Sequence, residues 1–134
     1  MRFRIKERKH NGFYYFTAFD ELDVCIGQLS MDIRNAEYGR FSEQCIGDKI
    51  AKIVIVSTNI DYCNKGVATS LFNATIERFK DWNLYLNIVP LPRLGENIKY
   101  RTVSGLRDFY SKFGFEYCTN SYPPTMFRKA NKVG

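Results

Sequence analysis

Residues 51–80 read AKIVIVSTNIDYCNKGVATSLFNATIERFK. A β-branched run leads into a polar loop. The loop closes on Cys63-Asn64-Lys65-Gly66-Val67-Ala68, and an apolar pattern of helical period follows. A strand that feeds a glycine-containing turn at a helix start suits an anion, above all a phosphate. The turn's backbone N–H groups and the positive end of the helix dipole both favour negative charge there. Gly66 lets the backbone approach a phosphate closely, Ala68 keeps helix packing tight, and Lys65 adds charge. The plainer reading is a glycine at a loop–helix junction, which many folds contain. A second stretch, FYSKFGF at residues 109–115, places Tyr110 among aromatic neighbours.

Other chemistries lack their residues. The only histidine is His10, beside a turn at the far N-terminus, so a Ser-His-Asp or Cys-His mechanism has no base in a useful place. Cys25, Cys45, Cys63 and Cys118 form no C-x-x-C pair, and zinc spacing is missing. No apolar run reaches bilayer length and the basic start carries no signal-peptide pattern, so we expect no membrane segment, a cytoplasmic location and free, buried thiols. The net charge is +6, and five of the 20 basic residues are Arg2, Arg4, Lys6, Arg8 and Lys9. A charged edge strand accounts for that cluster. Attraction to a nucleotide, a nucleic acid or an acidic protein is the sharper reading. The 11 Phe and 9 Tyr also invite a nucleic-acid reading, but they follow core periodicity and show no stacking pattern.

The elements that must position these residues follow from period and punctuation. With 134 residues we expect a single domain, 1–134. Residues 2–9 and 13–20 alternate as strands around Asn11-Gly12, a hairpin signal. Residues 24–33 return as a third strand. Residues 35–48 read as a long loop with room for a helical turn, and 50–58 as a central strand. Val67, Leu71, Phe72, Ile76 and Phe79 mark one face of a helix over 66–80. Residues 84–89 form a fifth strand, and Pro90, Pro92 and Gly95 then break regular structure. Val103, Leu106, Tyr110 and Phe113 mark a helix over 102–113, ended by Gly114. Residues 115–118 and 125–129 close the order as strands around a Pro123-Pro124 turn. The order is β-β-β-β-α-β-α-β-β: an α/β (α+β) fold with a mixed, mostly antiparallel sheet flanked by helices. The unit over 50–89 should be a right-handed crossover joining two parallel strands.

On these residues the chain resembles the GNAT superfamily of N-acetyltransferases from about residue 13 to 129. The V-C-I-G-Q-L run at 24–29 resembles that family's I-V-G-x-x-x-L strand. Residues 63–68 resemble its [Q/R]-x-x-G-x-[G/A] acetyl-CoA motif, and L-R-D-F-Y-S-K-F-G-F at 106–115 resembles its A-x-x-[LF]-Y-x-x-x-G-F helix. Met126-Phe127-Arg128-Lys129 looks like its last strand. The chain departs from the pattern in three places. Cys63 stands for the usual Gln or Arg, Val103 for a frequent Asn, and Asn11-Gly12 joins two strands between which the family places two helices that wall its acceptor pocket.

The resemblance implies an enzyme that moves an acetyl group from acetyl-CoA to a primary amine by direct transfer. It implies cofactor contacts from Val56, Thr58, Cys63, Asn64, Lys65, Gly66, Val67, Ala68, Thr69 and Lys112, and Tyr110 as general acid toward the coenzyme A thiolate. A phenol, with an unperturbed pKa of ~10, suits a thiol partner. A core aromatic is the plainer role for Tyr110. The base is open: Asp32, Glu37, Glu43 and Asp61 are nearby carboxylates, while Thr58 and Asn87 near a splay between the parallel strands could hold a water or the amine. A shallow site without the helical wall favours a large acceptor, a protein or an aminoacyl-tRNA. The alternative is that residues 35–48 fold over the site as a lid. Two further readings stay open, a catalytically degenerate acyl-CoA-binding or protein-interaction relative and a tRNA-directed acetyltransferase. A homodimer is compatible with each.

Overall fold

Asn11 and Gly12 both take positive φ, 50° and 80°. A two-residue hairpin turn of type I′ demands that at both positions. The turn joins β1 (Arg4–His10) to β2 (Phe13–Phe19), which pair antiparallel from Arg4–Phe19 to His10–Phe13. These elements come from a computed structural model that describes residues 2–34, 38–58, 66–88, 103–118 and 124–131. After β2, the Asp20 carboxylate accepts from the Leu22 and Val24 N–H groups and turns the chain into β3 (Cys25–Asp32). Then come α1 (Tyr38–Phe41), β4 (Ile50–Thr58), α2 (Val67–Arg78), β5 (Asn83–Asn87), α3 (Val103–Ser111), β6 (Glu116–Cys118) and β7 (Thr125–Arg128).

The strands form one sheet in the order β1-β2-β3-β4-β5-β7-β6. Only the β4–β5 pairing is parallel. This is the expected mixed α/β sheet and the expected parallel pair. The order gains only the four-residue α1, in the stretch read as a loop with a helical turn. The helix expected to run to Phe113 stops at Ser111. Lys112, Phe113 and Gly114 then bond back three residues, to Phe109, Tyr110 and Ser111. Gly114 sits at φ 87° past this tightened end. The breaks at Pro90, Pro92 and Gly95, residue Val89 of the fifth strand, and Pro123 lie outside the described residues.

Side chains alternate across each strand, so the sheet has two faces. On the first, Phe16, Ala18, Ile26, Leu29 and Met31 are 0% exposed and pack with Ala51, Ile53, Leu84, Leu86 and Met126. Val67, Leu71 and Phe72 of α2, the half-buried Val103, Leu106 and Tyr110 of α3 and Phe113 just after it cover this face. Thr75 is not on the expected apolar face of α2, yet it is fully buried, because its hydroxyl donates to the Leu71 carbonyl (2.7 Å) and so enters the core without an orphan.

The second face carries a smaller cluster of Phe41, Ile50, Tyr85 and Phe127, with the Phe41 ring stacked on Phe127 at 5.2 Å. Asn83, fully buried at the head of β5, holds the β3–β4 connection in place. Its Oδ1 accepts from the Ile46 and Ala130 N–H groups, and its Nδ2 donates to the Ile46 and Lys49 carbonyls, all within 3.0 Å. A strand start at Leu84 leaves this residue out, and nothing in the local pattern distinguishes it from a loop asparagine.

Candidate functional site

The β4–β5 ladder runs from Ile50–Asn83 to Ile53–Leu86 and stops, although β4 continues to Thr58. The cause lies one residue further on. β3 pairs Met31 with Ile53 but Ser30 with Ile55, so Val54 is an extra residue and β4 bulges there. A bulge bends its strand and raises the local twist. Among the described residues, the β5 side of residues 54–58 therefore carries backbone groups with no ladder partner. Such an edge inside a sheet can hold an extended amide chain. Val54 and Ile55 both lie on the second face, 45% and 52% exposed. Val56 and Thr58 lie on the first face, opposite Leu29 and Gly27, and both are half-buried.

Gly27 is where α2 sits down. A Cβ there would lie 2.8 Å from Val67 Cγ1 and 3.1 Å from the Ser57 carbonyl. The glycine of the V-C-I-G-Q-L run thus lets the first turn of α2 approach the sheet. Gly66 caps α2 at φ 82° with no side-chain capping bond, and the first turn holds no acidic residue. The Ser70 N–H already bonds the Gly66 carbonyl (3.0 Å), which leaves the N–H groups of the preceding residues at the helix tip for another acceptor. A Cβ at Gly66 would meet no described atom within 4 Å. The tip of α2 is thus a positive end with space in front of it and no anion supplied by the helix itself.

Of the residues expected at this site, Cys63, Asn64 and Lys65 lie outside the described residues, as do Glu37 and Asp61. Val67 is 1% exposed, so its side chain belongs to the core and its backbone is what faces the helix tip. Ala68 is half-buried and Thr69 exposed in the same turn, and Lys112 is exposed just after α3. Tyr110 packs its ring against Phe72, Phe109 and Phe115 at 5.5, 5.6 and 6.4 Å. Burial pushes its phenol up to about 12, and its hydroxyl forms no hydrogen bond within the described residues.

Of the carboxylates, Asp32 is engaged by Arg34, whose Nε and Nη2 donate to it at 2.9 and 2.6 Å. That pairing holds its pKa below the usual value. Glu43 is exposed. Sequence reasoning named Asn87 beside the splay but missed Arg40 and Thr125, which bond in a chain to it. Arg40 Nη2 reaches the Thr125 hydroxyl (3.4 Å), which donates to Asn87 Oδ1 (3.0 Å). Thr125 is fully buried. Residues 38–49 of the β3–β4 connection thus lie over β5 and β7 and leave the β1–β3 half of this face uncovered among the described residues.

No protein-family model matches the sequence, and no curated relative does. Solved structures do match. A structure of histone acetyltransferase HPA2 and related acetyltransferase from Corynebacterium glutamicum superposes with a TM-score of 0.61 at 16% identity, over 90% of this chain and 66% of that one. A GNAT-family acetyltransferase from Staphylococcus aureus gives 0.56 at 14% identity, over 87% and 67%.

This chain has the GNAT fold.

The Bacillus subtilis N-acetyltransferase YlbP, solved in complex with coenzyme A, shares that GNAT fold at a TM-score of 0.56 and 12% identity, over 84% of this chain and 65% of its own. The chain therefore spans about two thirds of the length of the GNAT-fold structures it matches. The direct Asn11-Gly12 hairpin adds no helix between β1 and β2. Among the described residues no helix is long and apolar enough to cross a membrane.

Proposed function

We propose that this chain is an acetyl-CoA-dependent N-acetyltransferase that transfers an acetyl group directly to a primary amine. The observation that carries the reading is the junction of the β4 splay with the uncapped, Gly66-headed tip of α2. Among the described residues, a strand edge without a ladder partner and a positive helix end meet there, as an amide-bearing chain ending in a pyrophosphate requires. The residues fit that group: backbone N–H groups from Asn64 to Thr69 would hold the phosphates with Lys65 and Lys112 near them, and the β4 edge at Val56 and Thr58 would hold the amide chain. Acetyl-CoA, when bound, supplies an acyl thioester open to attack by a neutral amine.

The chain's own residues then have defined tasks. Tyr110 keeps a proton on its phenol through the whole neutral range and stands as the donor for the departing sulfur. Asn87, oriented by Thr125, presents an amide at the end of β5 where an amine could be held. The open half of the second face favours a macromolecular acceptor over an enclosed small amine.

A second reading, an acyl-CoA binder without turnover, draws support from the carboxylates. Asp32 is bound to Arg34, and β4 itself carries no carboxylate. Thiol release from acetyl-CoA in the presence of mixed amines separates the two. Release that depends on the amine supports the enzyme. Binding of coenzyme A with no release under any amine supports the binder.

A further inference from the structure

We propose that the uncovered half of the second sheet face, from β1 to the β4 bulge, is a docking surface for single-stranded nucleic acid. The inference does not rest on acetyl transfer. Pairing register defines the face. Arg4, Lys6 and Arg8 of β1 lie beside Phe19, Thr17 and Tyr15 of β2, and those lie in turn beside Cys25, Gln28 and Ser30 of β3. Phe13 and Asp32 continue the face toward Lys52 of β4. None of the described helices lies over it: α2 and α3 cover the opposite face, and α1 packs over β5 and β7.

Contrary to the expectation that the aromatics follow core periodicity alone, three half-buried rings, Phe13, Tyr15 and Phe19, stand on one sheet surface that no described helix covers, with cations over them. The Arg4 and Lys6 charges lie 5.7 and 5.6 Å from the Phe19 centroid. Arg8 lies 5.1 Å from Tyr15, and Arg34 lies 4.9 Å from Phe13. Asp23 answers Arg4 and Asp32 answers Arg34, while Lys6, Arg8 and Lys52 add to the positive sign. Ring contact keeps each cation close to the sheet, so it gives up less freedom on meeting a phosphate.

Charge complementarity selects a polyanion. The row of aromatic rings selects one that also carries stacking planes, because a positive track lined by aromatic side chains is how single strands are held without base readout. Successive cations on one face of a strand lie about 6.8 Å apart, two residues of rise. An extended strand of phosphates can follow that track. A second copy of this chain would bring the same cations together and is disfavoured by their repulsion.

Fluorescence anisotropy of the full chain with short labelled oligouridine, oligothymidine, duplex and polyglutamate probes tests this. We expect both single strands to bind more tightly than the duplex or the polyglutamate. Lys6→Gln with Arg8→Gln should weaken single-strand binding and flatten its log–log salt dependence by about 1.4, roughly 0.7 for each phosphate that is no longer neutralised. Lys80→Gln with Arg107→Gln, the same charge removed from the helical side, should leave the slope less affected. Tyr15→Leu should weaken single strands by about fivefold or more while leaving polyglutamate unchanged. Binding of neither single strand at low salt would overturn the proposal. So would polyglutamate binding as tightly as the single strands, or a self-association on this face that the Lys6/Arg8 variant abolishes while no oligonucleotide binds.

Discussion

The two faces of the sheet are built from the same strands and do opposite things. Along β2, Tyr14, Phe16 and Ala18 point into the core under α2, while Phe13, Tyr15, Thr17 and Phe19 stand between partial burial and solvent. The first face is packed under α2 and α3, with Glu7 and Lys9 of the edge strand left exposed. The second is packed only where Phe41 closes on Tyr85 and Phe127, and elsewhere its rings are topped by cations instead of by a helix. The buried core is therefore concentrated on one side, which also carries Val56, Thr58 and the tip of α2, and the β4 splay lies at the border.

The largest expected difference lies within one strand. Phe16→Ala should cost about 3–5 kcal/mol, because it opens a cavity in a fully buried cluster. Tyr15→Ala, one residue away on the other face, should cost about 1 kcal/mol. Urea unfolding of the two variants measures the contrast, and equal losses would break it.

Asn83→Ala comes next, at about 3 kcal/mol, since it strands four backbone groups of the β3–β4 connection and the C-terminal segment at once. Thermal unfolding should show this loss. A variant as stable as wild type would mean that the covered half of the second face does not depend on this hub.

Tyr110→Phe should lower amine-dependent thiol release by ~10²-fold with coenzyme A affinity little changed, because only a proton donor is removed. Its folded pKa of about 12 lies above the unfolded value of 10.0. The stability this group contributes is thus complete below pH 10 and is lost as pH rises toward 12. Tyr110→Phe should flatten that alkaline decline. An unchanged turnover would leave Tyr110 as a core aromatic.

What was legible in the sequence, and what was not, follows the same division. Strand and helix identity rest on local periodicity, so β1 to β7, α2 and α3 appear in the expected order, and the Asn11-Gly12 turn is written in two residues. The Gly66 cap was legible because a glycine at a helix start leaves a local mark. The bulge at Val54 was not, since an extra residue is defined only against the partner strand. Asn83, Thr125 and Arg40 were missed for a related reason: each matters through bonds to residues tens of positions away. The half-open second face was only half foreseen. The missing helices showed in the hairpin, but the cover by residues 38–48 depends on Phe41 meeting Tyr85 and Phe127.

The smallest effect expected is at Asp32. Arg34 holds its folded pKa below the usual carboxylate value, so its contribution is present above that value and is lost as pH falls through the lowered one. Asp32→Asn should remove under about 1 kcal/mol at neutral pH, as befits a partly exposed pair. It should also make the acid limb of stability shallower. A loss as large as that of Asn83→Ala would give this pair a structural weight the geometry does not.

The most direct test of the account is a calorimetric titration of coenzyme A and acetyl-CoA into the wild-type chain, Gly66→Ala and Gly66→Glu. The tip of α2 should bind both ligands in the wild type. Gly66→Ala introduces only the cost of a side chain at φ 82° and should weaken binding modestly. Gly66→Glu places a negative charge in the phosphate position and should weaken it by at least about tenfold more, with the fold intact by circular dichroism. No measurable heat with either ligand in the wild type, or equal affinity in wild type and Gly66→Glu, would contradict the assignment of this site.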